Sequence, residues 1–140
     1  MESLLYISQS TILPSEAENE VARIVATAVK RNPASGLTGA LLFTGRHFAQ
    51  VLEGDSASID GLMAAISDDS RHDQLMMVAR GPLIERRFCD WSMAYFGPSQ
   101  FVSRHVTRLL NDPSRSEQRR CAEWLTDLLT ELSSNPRSAA

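Results

Sequence analysis

Gln50 stands inside the run Phe48-Ala49-Gln50-Val51-Leu52-Glu53-Gly54, a stretch of strand-forming residues that is otherwise apolar up to Glu53. A primary amide carries two donors and two acceptor lone pairs, and burying it without partners costs roughly 2–7 kcal/mol. A polar group elsewhere in the core must meet it. Alternate residues of a strand point to opposite faces. On one parity lie Tyr6, Gln50, Trp91 and Met93; the other holds Leu5 and Ile7, Ala49 and Val51, Ala94 and Phe96, a plainer apolar surface for a C-terminal helix to cover. A phenol can give up an electron and then its proton, and an amide can exchange the donor and acceptor ends it presents. Hydrolytic chemistry is not supported, because no serine-histidine-carboxylate arrangement, metal-ligand spacing or phosphate-cradling glycine loop occurs. His47, His72 and His105 are scattered and read as surface or hydrogen-bonded residues.

The elements that must position these groups follow from periodicity. Leu4 to Ser8 reads as a strand. Ser15-Glu16-Ala17-Glu18 fits a capping box, and Val21, Ile24, Val25, Ala28 and Val29 repeat at helical spacing until Pro33 and Gly36 end the helix near Asn32. Leu37 to Phe43 and His47 to Leu52, separated by Thr44-Gly45-Arg46, read as an antiparallel hairpin. Asp55 or Ser56 caps a second helix with the stripe Ile59, Leu62, Met63 and Ile66. A fourth strand is expected at Leu75 to Ala79, a break at Gly81-Pro82, and a fifth strand at Phe88 to Phe96. The order β-α-β-β-α-β-β suits an α+β, ferredoxin-like sheet with two helices on one face. A modest helix at Phe101 to Leu110 and a stronger one at Ser116 to Leu132, striped by Cys121, Trp124, Leu125, Leu128, Leu129 and Leu132, then cover the other face.

Composition bounds the setting. The chain has 140 residues, 43% of them apolar and 22% charged, and carries a formal charge of −3. One globular unit is the expectation, with no electrostatic footprint for nucleic acid or an anionic membrane. The start lacks a basic, apolar leader and no window approaches the length of a membrane span, so a cytoplasmic protein is expected. Cys89 and Cys121 read as two buried or inert thiols.

The chain resembles the BLUF family of flavin-based blue-light sensors in five motifs, which occur in the family's order and spacing over about residues 3 to 97. They are Leu4-Leu5-Tyr6-Ile7-Ser8-Gln9, Asn32-Pro33-Ala34-Ser35-Gly36-Leu37-Thr38-Gly39, Phe48 to Gly54, Asp69-Ser70-Arg71-His72 and Arg86-Arg87-Phe88-Cys89-Asp90-Trp91-Ser92-Met93. The resemblance implies a flavin-binding unit at residues 1–97 and a helical cap at 98–140. Between the two helices it implies a noncovalent flavin, usually FAD, with FMN or riboflavin as other forms. By the same carry-over Tyr6 is the photochemical electron and proton donor, and Gln50 bridges tyrosine and flavin. Asn32 hydrogen-bonds the isoalloxazine edge, while Ile24, Arg31, Asp69 and Arg71 join the cofactor-binding set. Trp91 and Met93 pass the signal outward, with the choice of which lies beside the site left open, as is rotation against tautomerisation of Gln50. Ala28 and Ala65 depart from the family's usual polar or basic residues, and Arg31 or Arg71 would supply the missing contact near the ribityl-phosphate region. The implied function is a non-enzymatic photoreceptor without its own output domain, signalling to a partner protein, with a homo-oligomer allowed. The alternative is a ferredoxin-like interaction module that binds no flavin.

Overall fold

The computed structural model describes residues 1–111 and 114–133. Strands β2 (Thr38–Phe43) and β3 (His47–Gly54) are apolar on both parities and buried almost throughout. Strands of that kind need cover on both faces. They lie in a five-stranded sheet of order β4-β1-β3-β2-β5, with β1 (Glu2–Ser10) beside β3, β4 (His72–Pro82) at one edge and β5 (Trp91–Phe96) at the other, parallel to β2. Helices α1 (Ala17–Ala34) and α2 (Ser56–Ser67) cover one face over Leu4, Tyr6, Leu41, Phe48 and Leu52. Helices α3 (Gln100–Asn111) and α4 (Arg115–Ser133) cover the other over Leu5, Ile7, Leu42, Ala49 and Val51. The ferredoxin-like arrangement is therefore present, with a fifth strand added beside β2. Among the described residues no helix is long and apolar enough to cross a membrane.

Local chemistry explains the differences from the sequence expectation. The capping box does not form: Pro14 starts a 3-10 turn, Pro14–Glu16, and α1 begins only at Ala17 without a side-chain cap. Proline's fixed φ suits that first turn, whose start then falls at Leu13 rather than Ser15. At the other end α1 runs through Pro33 and closes in a Schellman motif. Leu37 N–H donates to the Asn32 carbonyl (2.8 Å) and Gly36 N–H to that of Pro33 (3.0 Å), with Gly36 at φ +70°. Only glycine takes that left-handed position without cost, so the Asn-Pro-Ala-Ser-Gly run fixes where Asn32 sits.

Strand β4 extends through Gly81-Pro82, where a break was expected, because an edge strand needs no N–H from a proline at its end. Strand β5 begins at Trp91, not Phe88. Its pairing with β2 slips between Leu41 and Leu42, so that Met93 and then Tyr95 are the consecutive partners. This bulge at Ala94 reverses the parity beyond it. Ala94 and Tyr95 both pack toward the α3/α4 layer, and Phe96, assigned by parity to that layer, instead meets Phe43 at 5.6 Å between ring centroids and is half exposed.

Trp124 packs edge-on against Phe101 and His105. Cys121 is buried in the α4 seam, where burial, with Glu117 adding, pushes its thiol up to about 11, whereas Cys89 is exposed.

A buried polar group ties the β2–β3 turn to α3. The Ser103 hydroxyl lies 2.9 Å from Thr44 Oγ1 and 3.2 Å from His47 Nδ1, and all three residues are buried. Burial, and to a lesser extent the Arg46 charge, lower the pKa of His47 from its ordinary 6.5. Below 6.5 the unfolded chain takes up a proton that the folded chain excludes, so this contribution to stability is complete above that value and falls with acidification. The urea midpoint is therefore expected to be lower near pH 5.5 than near pH 7.5, with the difference reduced in His47→Gln. An equal pH dependence in that variant would contradict the assignment.

Candidate functional site

Tyr6 and Gln50 are direct partners across the antiparallel β1–β3 pair, so their side chains emerge side by side on the α1/α2 face. Gln50 Nε2 donates to the Tyr6 phenol oxygen at 2.7 Å. From the far edge of the sheet the Trp91 indole N–H donates to Gln50 Oε1 at 2.8 Å. All three side chains are buried. Strand β2 offers only Gly39 at the register position beside Trp91.

The direction of this chain is decided by Trp91. An indole nitrogen can donate but never accept, so the amide atom facing it must be oxygen, and the amino group is turned toward Tyr6. Tyr6 thus accepts, leaving its own proton to point elsewhere. Burial raises the pKa of the phenol above its ordinary value, opposed in part by the Gln50 hydrogen bond, so Tyr6 is a neutral phenol with a proton to give. Met93 occupies the same face two residues on, opposite Leu41, and is half-buried against the α1/α2 layer. It does not line the cleft, and Trp91 holds the inner place.

The cleft between α1 and α2 opens over these groups, a concave site lined mainly by apolar side chains with a few convergent polar ones, as small-molecule sites are. Tyr6, Gln50, Trp91, Leu41 and Phe48 form its floor from the sheet, and Ile24, Arg31, Asp69 and Arg71 stand on its walls. The spacing Ile24, Thr27, Ala28, Arg31 is one face of α1, so periodicity alone could have added Thr27. Ala28 and Ala65 both line the cleft as small groups that leave width.

At the mouth Asp69 and Arg71 form a two-pronged pair, with Nε to Oδ1 at 2.9 Å and Nη2 to Oδ2 at 2.7 Å, and Glu20 approaches the same guanidinium at 3.6 Å. Hydrogen bonds from Arg71 hold the Asp69 carboxyl below its ordinary pKa. His72, missing from the expected site set although it closes the fourth motif, also lines the cleft. Its Nε2 lies 2.6 Å from the Ile66 carbonyl and its Nδ1 2.7 Å from Ser8 Oγ, joining the end of α2 to β1. A carbonyl only accepts, so Nε2 carries a proton and, in the neutral ring, the Ser8 hydroxyl donates to Nδ1.

Asn32 is fully buried beside Arg31, whose Nε donates to Oδ1 at 3.3 Å. Its Nδ2 has no hydrogen-bond partner among the described residues. A buried amide nitrogen without an acceptor costs about 1–3 kcal/mol, so a ligand acceptor is called for. A flavin fits: its planar, largely apolar ring suits a cleft of this lining, and its carbonyl and ring-nitrogen edge offers such an acceptor.

The family model for BLUF, sensors of blue-light using FAD, matches residues 1–94. The chain belongs to the BLUF family. Among curated BLUF relatives, photoactivated adenylate cyclase subunit beta of Euglena longa is 36% identical over 94 residues, 66% of this chain and 11% of that protein. The blue light- and temperature-regulated antirepressor BluF of Escherichia coli (strain K12) is 33% identical over 96 residues, 69% of this chain and 23% of that protein. The chain thus spans only about a tenth of the cyclase subunit and a quarter of the antirepressor. The dark-state structure of BlrB, a BLUF protein, superposes with a TM-score of 0.71 at 27% identity and covers 96% of each chain, α3 and α4 region included. Flavin binding and blue-light sensing are therefore the functions of the family to which this chain belongs.

Proposed function

We propose that this BLUF chain is a blue-light receptor holding FAD noncovalently between α1 and α2, and that Tyr6 and Gln50 convert light absorption into a change in hydrogen bonding. The observation that carries this reading is the chain of donors Trp91 to Gln50 to Tyr6 on the floor of the cleft, together with a buried Asn32 Nδ2 that has no partner among the described residues. Bound flavin supplies blue-light absorption and an electron acceptor. With the flavin bound, Asn32 would hold its edge through Nδ2, Ile24 would pack against it, and Arg31 with the Asp69–Arg71 pair would meet a phosphate-bearing tail.

Tyr6 would give an electron and then its phenol proton to the bound flavin and take both back, so that no net oxidation of the chain remains. Gln50 then presents the opposite end of its amide, by rotation or by tautomerisation. Rotation brings Nε2 to face the Trp91 N–H, two donors in opposition, so that hydrogen bond breaks. Trp91 and, two residues on, Met93 then carry the change along β5 toward α3 and α4, and from there to a partner protein. No enzymatic step is required of the chain itself. The arrangement is a two-state element biased by one local hydrogen-bond change.

Purified chain is expected to be yellow, to retain FAD in preference to FMN or riboflavin, and to show a reversible red shift of flavin absorption under blue light. A chain that stays colourless after reconstitution with all three flavins would overturn the reading.

A further inference from the structure

Glu53 is a carboxylate with no exposed surface, on the α3/α4 side of β3, and nothing in the photochemistry above uses it. Burying a carboxylate is costly unless donors surround it, and here they come from the start of β2 and from the chain just before β5. Oε1 accepts from Phe88 N–H (3.1 Å) and Thr38 Oγ1–H (2.9 Å), and Oε2 accepts from Arg87 N–H (3.0 Å) with Arg87 Nε at 3.5 Å. Next to it the Arg86 guanidinium donates to Thr38 Oγ1 (2.8 Å), the Glu53 carbonyl (3.0 Å) and the Gly36 carbonyl (2.9 Å).

The Arg86, Arg87 and Phe88 contacts fall on the segment that joins opposite edges of the sheet. Residues 83–90 lead from β4 to β5 past the ends of β1, β3 and β2 and belong to no strand. Four strand spacings amount to about 19 Å, against a reach of roughly 27 Å for eight extended residues, so the segment has slack to lose. Glu53, at the end of the central strand, takes up that slack midway. Three residues beyond Phe88 the chain enters β5 at Trp91, immediately after the Asp90 carbonyl accepts from Gly39 N–H at 3.0 Å. The same clasp reaches the Gly36 carbonyl in the turn that ends α1 and seats Asn32.

We propose that Glu53 is a positioning residue that, through Arg86 to Phe88, sets where Trp91 enters β5 and so holds the indole donor on Gln50. The proposal rests on the photoreceptor reading for its light-dependent consequence, but its structural part does not. Without the carboxylate, two backbone N–H groups and a threonine hydroxyl lose their common acceptor at once, the segment regains its slack, and the Trp91–Gln50 bond opens more often.

The test uses the full chain. The Trp91 indole N–H is followed by NMR, assigned against Trp124→Phe, and its hydrogen exchange is compared with that of β3 core amides. In Glu53→Ala, indole exchange is expected to rise about tenfold relative to those amides, and dark recovery of the red shift to change by about the same factor. Arg86→Met, which leaves the carboxylate in place and alters an accessible side chain, is expected to move both readouts by about threefold. Glu53→Gln, keeping one oxygen acceptor, falls between parent and Glu53→Ala.

If Glu53→Ala does not fold, Arg86→Met and Thr38→Val decide the matter. An indole shift and relative exchange unchanged in the folded variants, even with a lowered urea midpoint, would overturn the proposal and leave Glu53 a purely structural group. A colourless parent chain would count against the photoreceptor reading alone, because the indole readout still reports on Glu53.

Discussion

Tyr6→Phe is expected to bind flavin as the parent chain does and to lose the light-induced red shift completely. The substitution removes one oxygen from a buried ring that otherwise keeps its place opposite Gln50 in the β1–β3 register. Without the hydroxyl there is no dissociable proton, and the phenyl ring is a far poorer electron donor. No other phenol lines the cleft; Tyr95 belongs to the α3/α4 side of the sheet and donates to the Pro98 carbonyl. The cost to the fold is small by comparison. The Gln50 amino group loses its acceptor, which destabilises by about 1–3 kcal/mol. Difference absorption spectra under blue light check the first part and urea unfolding the second. A red shift of unchanged amplitude and recovery in Tyr6→Phe would refute the donor role.

Gln50→Leu is expected to keep flavin bound and also to lose the red shift, for a different reason. Leucine preserves the volume on β3 but has no donor or acceptor, so nothing connects the phenol to the indole. Both the Tyr6 hydroxyl and the Trp91 N–H then lose a partner in a buried site, a loss of about 1–3 kcal/mol for each group left unsatisfied. Because Tyr6 is retained, electron and proton donation can still occur; what is absent is the group able to store the outcome as an exchanged amide. Transient absorption should therefore show excited-state quenching by Tyr6 with no lasting shifted state. A persistent red shift would show that some group other than Gln50 holds the signal. Trp91→Phe provides a contrast, since it frees Gln50 Oε1 and removes the one donor that fixes the amide's orientation, so a shift should survive with altered recovery.

Several parts of the fold could be read without coordinates. The long apolar runs of β2 and β3 required cover on both faces, and helical stripes before and after them supplied two layers. A buried amide must have a partner, and parity allowed Tyr6 to be that partner of Gln50, but the β1–β3 register that sets the two opposite each other came from the sheet. Thr27 and His72 were equally accessible, the first from the helical repeat of Ile24 and Arg31, the second from its place after Arg71, but both lacked an assigned role.

Other features resisted for identifiable reasons. The parity of β5 failed at Phe96 because one bulge at Ala94 reverses every later side chain, and an inserted residue of that kind leaves no periodic trace. The expected cap at Ser15 was displaced by the conformational preference of its neighbour Pro14. Glu53 read as the polar end of an apolar run, whereas it is as deeply buried as the leucines around it.

The amino-acid sequence by itself determined the element order, the family motifs and the need for a polar partner to Gln50, because each depends on residue type and on spacing within one segment. The tertiary structure decided which way the amide faces and that Trp91, not Met93, holds the inner place. Those depend on groups far apart in the chain: an indole on β5 that can only donate, and an amide on β3 that it meets across β2. Local periodicity carries no information about such contacts, since they exist only once the sheet has brought its two edges into one frame.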